Sequence, residues 1–149
     1  MGDELKIILA IAGPLIGAIL TTFKDEIINF FSTRKYKALK GNWDCTWTEV
    51  ASGVAPRVIN DIVEIKRING RIVSGTGTTQ GIGSWHFKGE ISDNTTITLT
   101  YKFDKSKIVD NSGSIILKLG SNPTKTLEGV WSQYKHPDLK GGTTEWTKI

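Results

Sequence analysis

"TTITLTYKF", residues 95–103, alternates with a period of two: Ile97, Leu99, Tyr101 and Phe103 on one side, Thr96, Thr98, Thr100 and Lys102 on the other. Successive side chains of an extended chain point to opposite faces, so this stretch reads as a strand with one dry and one wet face. The same phase continues on both sides of it. Trp43, Cys45 and Trp47 alternate with Asn42, Asp44 and Thr46, and Trp85/Phe87, Ile115/Leu117/Leu119, Leu127/Trp131 and Trp146 supply apolar faces elsewhere. The pattern predicts strands at about 42–50, 58–68, 71–79, 83–91, 95–104, 112–119, 127–134 and 142–149, with tight turns at Asn69-Gly70 and Ser92-Asp93-Asn94. Successive strands with no helix between them form an up-and-down antiparallel meander, and closing it removes both edges. The expected fold class is therefore all-β: an eight-stranded up-and-down antiparallel barrel, with an open two-sheet sandwich as the alternative. A barrel of this size is either filled by its own side chains or holds one small ligand.

A meander alternates its connections between two ends. The chain enters at Gly41, which puts 69–70, 92–94 and 120–126 at the near end and 51–57, 80–82, 104–111 and 135–142 at the far end. Long loops at one mouth are where ligands enter. The far loops carry Arg57, Lys105, Lys107, Lys135, His136 and Lys140 against Asp104, Asp110 and Asp138. A cationic rim over a cup of Trp, Tyr and Thr suits an anionic ligand with flat rings, because aromatic faces stack bases and Lys or Arg hold phosphates. Arg57, Lys135 and His136 are the candidates to meet phosphates. Thr78, Trp85, Tyr101 and Trp131 take inward parity and are the candidates to meet bases, with Tyr134 reaching in from the rim on the other parity. The competing reading is that the loops are charged because they are wet and that the inward Trp residues are core.

The chain begins differently. Residues 7–23, "IILAIAGPLIGAILTTF", hold no charge across seventeen positions, at the short end of the roughly 17–25 residues a membrane helix needs. The opening "MGDELK" lacks a basic start, no small-residue cleavage site follows, and position six is Lys where a myristoylation signal needs Ser or Thr. A buried core helix would show a polar face. A single-pass anchor is the expectation. Lys24, Arg34, Lys35, Lys37 and Lys40 stand against only Asp25 and Glu26, so the positive-inside rule leaves the N-terminus outside and the rest in the cytoplasm. Gly13 and Gly17 form a G-x-x-x-G that lets two helices approach, pointing to a homo-oligomer, although glycine is also common in membrane helices. Pro14 between them would kink or loosen that helix. "KDEIINFFSTRKYK", 24–37, reads as an interfacial helix. The domains are thus 1–40, anchor and juxtamembrane helix, and 41–149, cytoplasmic barrel.

From Gly41 onward cations exceed anions by only two, so the pI of 9.2 does not argue for a DNA or RNA partner. Cys45 is the single cysteine, which excludes a disulfide within the chain and fits a reducing compartment. With His86 and His136 as the two histidines, no metal-ligand spacing appears. Phosphate-loop and nucleophile-elbow motifs are absent from the sequence. "GTGTTQGIG", 75–83, is glycine-rich but precedes a strand, so it reads as a bulge or sharp bend. No enzyme activity, metal or cofactor is expected.

"GNW", 41–43, resembles the G-x-W opening of lipocalin and avidin-type barrels, where the Trp plugs one end, and Lys148 stands where lipocalins place a basic residue against it. The whole layout, with stretches such as "LEGVWSQYKHPDLKGGTTEW" (127–146), resembles the membrane-anchored β-barrel effectors of bacterial CBASS-type anti-phage systems, which signal through cyclic oligonucleotides. The resemblance implies a barrel that binds a cyclic dinucleotide second messenger made by a partner nucleotidyltransferase. Binding would then drive oligomerisation through the N-terminal helix and disruption of the bacterial inner membrane. Such effectors typically carry two membrane helices, and this chain has room for one. The alternative expectation is a tethered lipocalin-like binding or scaffolding barrel without killing activity, favoured by a packed interior with its Trp residues in mutual contact.

Overall fold

A computed structural model of the chain describes residues 21–149 except 22, 29, 51–54, 94, 105–111, 121 and 136–137, with backbone alone at 135 and 138. The alternating segments become eight strands: β1 (Gly41–Glu49), β2 (Arg57–Asn69), β3 (Ile72–Thr79), β4 (Gly83–Ser92), β5 (Thr96–Phe103), β6 (Ser112–Leu119), β7 (Thr126–Lys135) and β8 (Asp138–Lys148). Each pairs antiparallel with the next, and β8 returns to β1 from Trp43↔Lys148 to Glu49↔Gly142, closing the barrel. The sandwich alternative is excluded.

Three local features depart from the sequence reading. The first hairpin turns on Gly70-Arg71, since Asn69 already pairs with Ile72. Gly70 takes φ 59° at the first central position, the placement of glycine in a II′ turn. A bulge in β2 between Ile65 and Arg67 shifts the register, so Ile65 and Ile68 both face inward with Lys66 and Arg67 exposed between them. The last hairpin is tighter than expected, for Lys135 pairs with Asp138 and the far connection shrinks from 135–142 to 136–137. Pro137, Gly141 and Gly142 mask that strand in the sequence, because proline and glycine are what loops are usually made of.

The near half of the interior is filled. Trp43, Val63, Ile97, Leu99, Leu117 and Trp146 are each 1% exposed or less, the side-chain-filled state open to a barrel of this size. One turn of 3₁₀ helix, Lys37–Leu39, caps this end and buries Leu39. Trp43 Nε1 donates to the Leu39 carbonyl at 3.0 Å. Lys148 Nζ lies 4.8 Å from the Trp43 ring centroid and donates to the carbonyls of Ala38, at 2.8 Å, and Lys40. Burial pulls the Lys148 ammonium below its ordinary pKa, yet its carbonyl partners and the ring's electron-rich face hold the cation in place. This is the Trp–Lys pairing that the G-x-W resemblance implies. Lys148→Met should therefore cost about 1–2 kcal/mol in urea unfolding while leaving the opposite mouth unchanged.

Ahead of the barrel, residues 21, 23–28 and 30–36 are helical. Phe23, Ile27, Ile28, Phe30 and Phe31 on this helix are exposed. The Gly70 N–H donates to Thr33 Oγ1 at 2.6 Å, tying the end of the helix to the β2–β3 turn. No helix among the described residues is long and apolar enough to cross a membrane. The expected span at 7–23 lies outside them apart from Thr21 and Phe23, as does the G-x-x-x-G.

Candidate ligand-binding site

Side chains fill the near half and leave a space in the far half. A cavity of about 240 Å³ opens at the far mouth. Its walls are aromatic: Trp47, Trp85, Tyr101, Phe103 and Trp131. Ile59 and Ile82 add apolar surface, Asp61 and Thr79 lie deeper, and Glu49, Arg57, Gln133 and Lys140 belong to the rim.

The aromatic wall is positioned by glycines. Gly75, Gly77 and Gly113 pair directly with Phe87, Trp85 and Tyr101 on neighbouring strands. A Cβ at those three positions would come within 2.5, 2.2 and 2.6 Å of the respective ring. Each ring occupies the space that a side chain at the facing glycine would need, an arrangement that aligns the strands and covers the gap. The glycine-rich 75–83 thus has two halves: Gly75 and Gly77 leave room for aromatic rings within β3, and 80–82 form the expected sharp bend, with Gly81 at φ 77° and Gly83 at φ 132°. The rings also touch one another: Trp47 sits 5.9 Å from Trp85 and 6.1 Å from both Trp131 and Trp146, and Trp85 sits 5.6 Å from Tyr101. Trp131 Nε1 donates to the Thr143 carbonyl at 3.1 Å, and the Tyr101 hydroxyl to the Ser132 carbonyl at 3.3 Å. These bonds fix ring orientation without using the cavity.

Among the described residues, Asp61 is the one carboxylate buried deep in the cup, 5% exposed. Its Oδ2 accepts from Thr79 Oγ1 at 2.8 Å and from Trp85 Nε1 at 3.2 Å. Burial raises its pKa from 3.8 to about 6, against the lowering pull of Thr79, Trp85 and the nearby Trp47 indole. The Trp47 indole is the third group, after Thr79 and Trp85, that favours the ionised form, and Trp47 Nε1 and Asp61 Oδ1 are both shut off from the cavity. Burial, and then the Asp61 charge, pushes the Tyr101 hydroxyl up, so it stays protonated. Burial, followed by Asp61 and Asp44, likewise keeps the Cys45 thiol protonated. At the rim, Lys140 Nζ binds Glu49 Oε1 at 2.8 Å. Arg57 forms no ion pair among the described residues.

Of the residues singled out in the sequence, Arg57, Trp85, Tyr101 and Trp131 converge on this cavity. Thr78 does not: it is exposed on the outer face, and Thr79 takes the inward position. The inward positions of β3 are Val73, Gly75, Gly77 and Thr79, and two glycines give no apolar signal from which to read the phase. Tyr134 is 45% exposed and outside the lining. The Lys135 side chain and all of His136, Lys105 and Lys107 lie outside the described residues. Sequence reasoning missed Asp61, whose signal was its place in the inward phase of Val63 and Ile65. His86 lies on the outer face, bonded to Asp104 at 2.6 Å. Among the described residues no cluster of His, Cys, Asp or Glu could hold a metal.

No protein-family model matches the chain, and no curated protein matches it in sequence. Solved structures do share its fold. EF1p2_mFAP2b bound to DFHBI is similar with a TM-score of 0.60 and 11% identity, over 79% of this chain and 99% of that one. The redesigned β-barrel b11L5F_LGL gives 0.56 and 11%, over 76% and 93%. The redesigned β-barrel mFAP1 bound to DFHBI gives 0.54 and 13%, over 75% and 96%. At such identities the likeness is one of fold.

Proposed function

We propose that this chain is a binding protein rather than an enzyme, and that its far mouth takes a small anionic ligand by inserting one flat ring between the aromatic walls. The observation that carries this reading is the cavity itself: five aromatic residues around about 240 Å³, with Arg57 at the rim. The volume falls just below the roughly 300–1,000 Å³ of drug-sized sites, so it suits a single base-sized ring and leaves any larger remainder outside. Among the described residues, Arg57, and Lys140 once released from Glu49, are the cations available to that remainder. Two barrels of similar fold hold the small molecule DFHBI, which supports a closed barrel of this size as a receptor.

The finer form of the proposal is a cyclic dinucleotide with one base inserted and its phosphates at the rim. It rests on the resemblance to membrane-anchored CBASS-type effectors, with 7–23 as a single-pass inner-membrane anchor and the barrel in the cytoplasm. Binding would then assemble the N-terminal helices and breach the membrane. A second reading draws on the contacts of Trp47 with three other tryptophans: a tethered scaffold whose interior is mostly packed and kills nothing.

A cyclic-dinucleotide panel added to the full chain in detergent separates the two. A ligand at about 100 times its Kd should stabilise the barrel by roughly 2.7 kcal/mol, visible as a thermal shift. Arg57→Gln should weaken a phosphate-bearing ligand about tenfold, the size of one charge-assisted hydrogen bond, without changing the unliganded midpoint. A folded barrel that shifts with no member of the panel supports the scaffold. Growth arrest on expression that persists after 1–40 is deleted would remove the membrane-disruption step.

A further inference from the structure

The outer wall of the barrel carries a pattern that the cavity does not use. Along the seam between β6 and β7 the outward residues stand in register, Lys118 with Glu128 and Ile116 with Val130. Towards the far mouth the rows continue as Ser114 with Ser132 and Ser112 with Tyr134. Lys118 and Glu128 are exposed, and neither forms an ion pair among the described residues. Ile116 and Val130 are 43% and 52% exposed. Cross-strand neighbours of these types stabilise a sheet when they touch, yet here the charges stay apart and the apolar pair is half in water. Among the described residues no other seam joins an opposite-charge row to an apolar row. β7 and β8 set Glu128 against Glu145, and β1 and β2 set Asp44 against Ile62.

Rows whose two members complement each other are what a two-fold axis requires, because residue i then meets j and j meets i. We propose that the β6–β7 wall is a homodimer interface, and that its partner is a second copy of this barrel related by a two-fold axis running along the seam. In that arrangement Lys118 of each copy meets Glu128 of the other, Ile116 packs on Val130, and serine faces serine in the next row. The flanking strands oppose no like charges: Thr98 on β5 comes to face Thr143 on β8, and Thr100 to face Gly141. An axis along the strands also keeps both near ends on one side, so the two Lys37–Leu39 caps point the same way. Two convex walls touch over few strands, which keeps the buried area below the roughly 1,200–2,000 Å² of a standard complex. The dimer is therefore weak and concentration-dependent, with its charged row fixing register more than affinity. The proposal rests on the folded barrel alone, independent of the ligand reading and of any contact between N-terminal helices.

The test is sedimentation equilibrium of the full chain in detergent at low salt, with two charge reversals. Lys118→Glu puts acids on both sides of the contact and Glu128→Lys puts bases there, twice per dimer in each case. Each variant alone should dimerise about tenfold more weakly than the unaltered protein, and the difference should shrink as salt is added. An equimolar mixture of the two variants should regain the dimer, because every facing pair is again one acid and one base. No effect confined to a single chain can be restored by mixing. Both residues are exposed, so circular dichroism melts of the variants should match that of the unaltered chain. A chain that stays monomeric throughout the micromolar range overturns the proposal. So does a dimer that either variant leaves unchanged, which places the contact elsewhere, and so does a mixture that fails to recover.

Discussion

An alanine at Gly77 is expected to destabilise the barrel by about 3 kcal/mol, lowering its thermal midpoint by roughly 10 °C, and to abolish ligand binding. The added methyl would stand 2.2 Å from Cε2 and Cζ2 of Trp85, a distance no carbon pair sustains. Trp85 cannot step aside cheaply. It is 2% exposed, donates to Asp61 at 3.2 Å, and meets Tyr101, Phe87 and Trp47 at 5.6, 5.7 and 5.9 Å. Overpacking of this kind costs about 1–3 kcal/mol, and the lost bond to a buried carboxyl adds roughly 1 kcal/mol. The open space nearest the ring is the cavity, so a displaced Trp85 fills the proposed ligand space. Thr78→Ala is the matched control, one residue away and facing solvent; it should stay within about 0.5 kcal/mol and bind normally. Circular dichroism melts of the two variants decide the matter. A stable Gly77→Ala barrel would mean that Trp85 is not held over that backbone.

What the sequence reveals here depends on whether the inward positions carry bulk. β5 is legible from end to end because Ile97, Leu99 and Tyr101 are large and their neighbours polar. β3 hides its phase, since Gly75 and Gly77 contribute only an absence that Phe87 and Trp85 fill from the next strand. That is why Thr78 was read as inward. The bulge at Lys66 conceals a second change of phase, because one extra residue leaves no compositional mark. The closing plug was legible for the opposite reason: Trp43 stands near the start of β1 and Lys148 ends β8, and only closure brings them together. Asp61 escaped notice because a carboxylate in an apolar phase resembles an interruption of the strand. Its meaning depends on Thr79, Trp85 and Trp47, which lie far from it in the chain and meet it only in the closed barrel.

Asp61 also provides the second large effect, and its sign follows from its titration. In the unfolded chain the carboxyl ionises near 3.8, whereas burial in the folded barrel holds the proton until about 6. Below the lower value both states are protonated and Asp61 contributes no pH dependence. Between the two the folded state binds more protons, so stability falls as pH rises; above about 6 both states are ionised and the loss is complete. The rise from 3.8 to about 6 corresponds to up to about 3 kcal/mol. Asp61→Asn retains an acceptor for Thr79 and Trp85 and has no charge to bury. Urea unfolding of both proteins from pH 4 to 7.5, taken as a difference so that other titrations cancel, should start near zero and grow in favour of the variant by up to about 3 kcal/mol. A flat difference would mean that Asp61 ionises as freely in the barrel as in the unfolded chain. The fold would be better served by asparagine at this position, so the carboxylate fits a role in binding, the usual setting in which stability is given up for function. The substitution that most stabilises the barrel at neutral pH should thus also be one that costs it affinity for the proposed ligand.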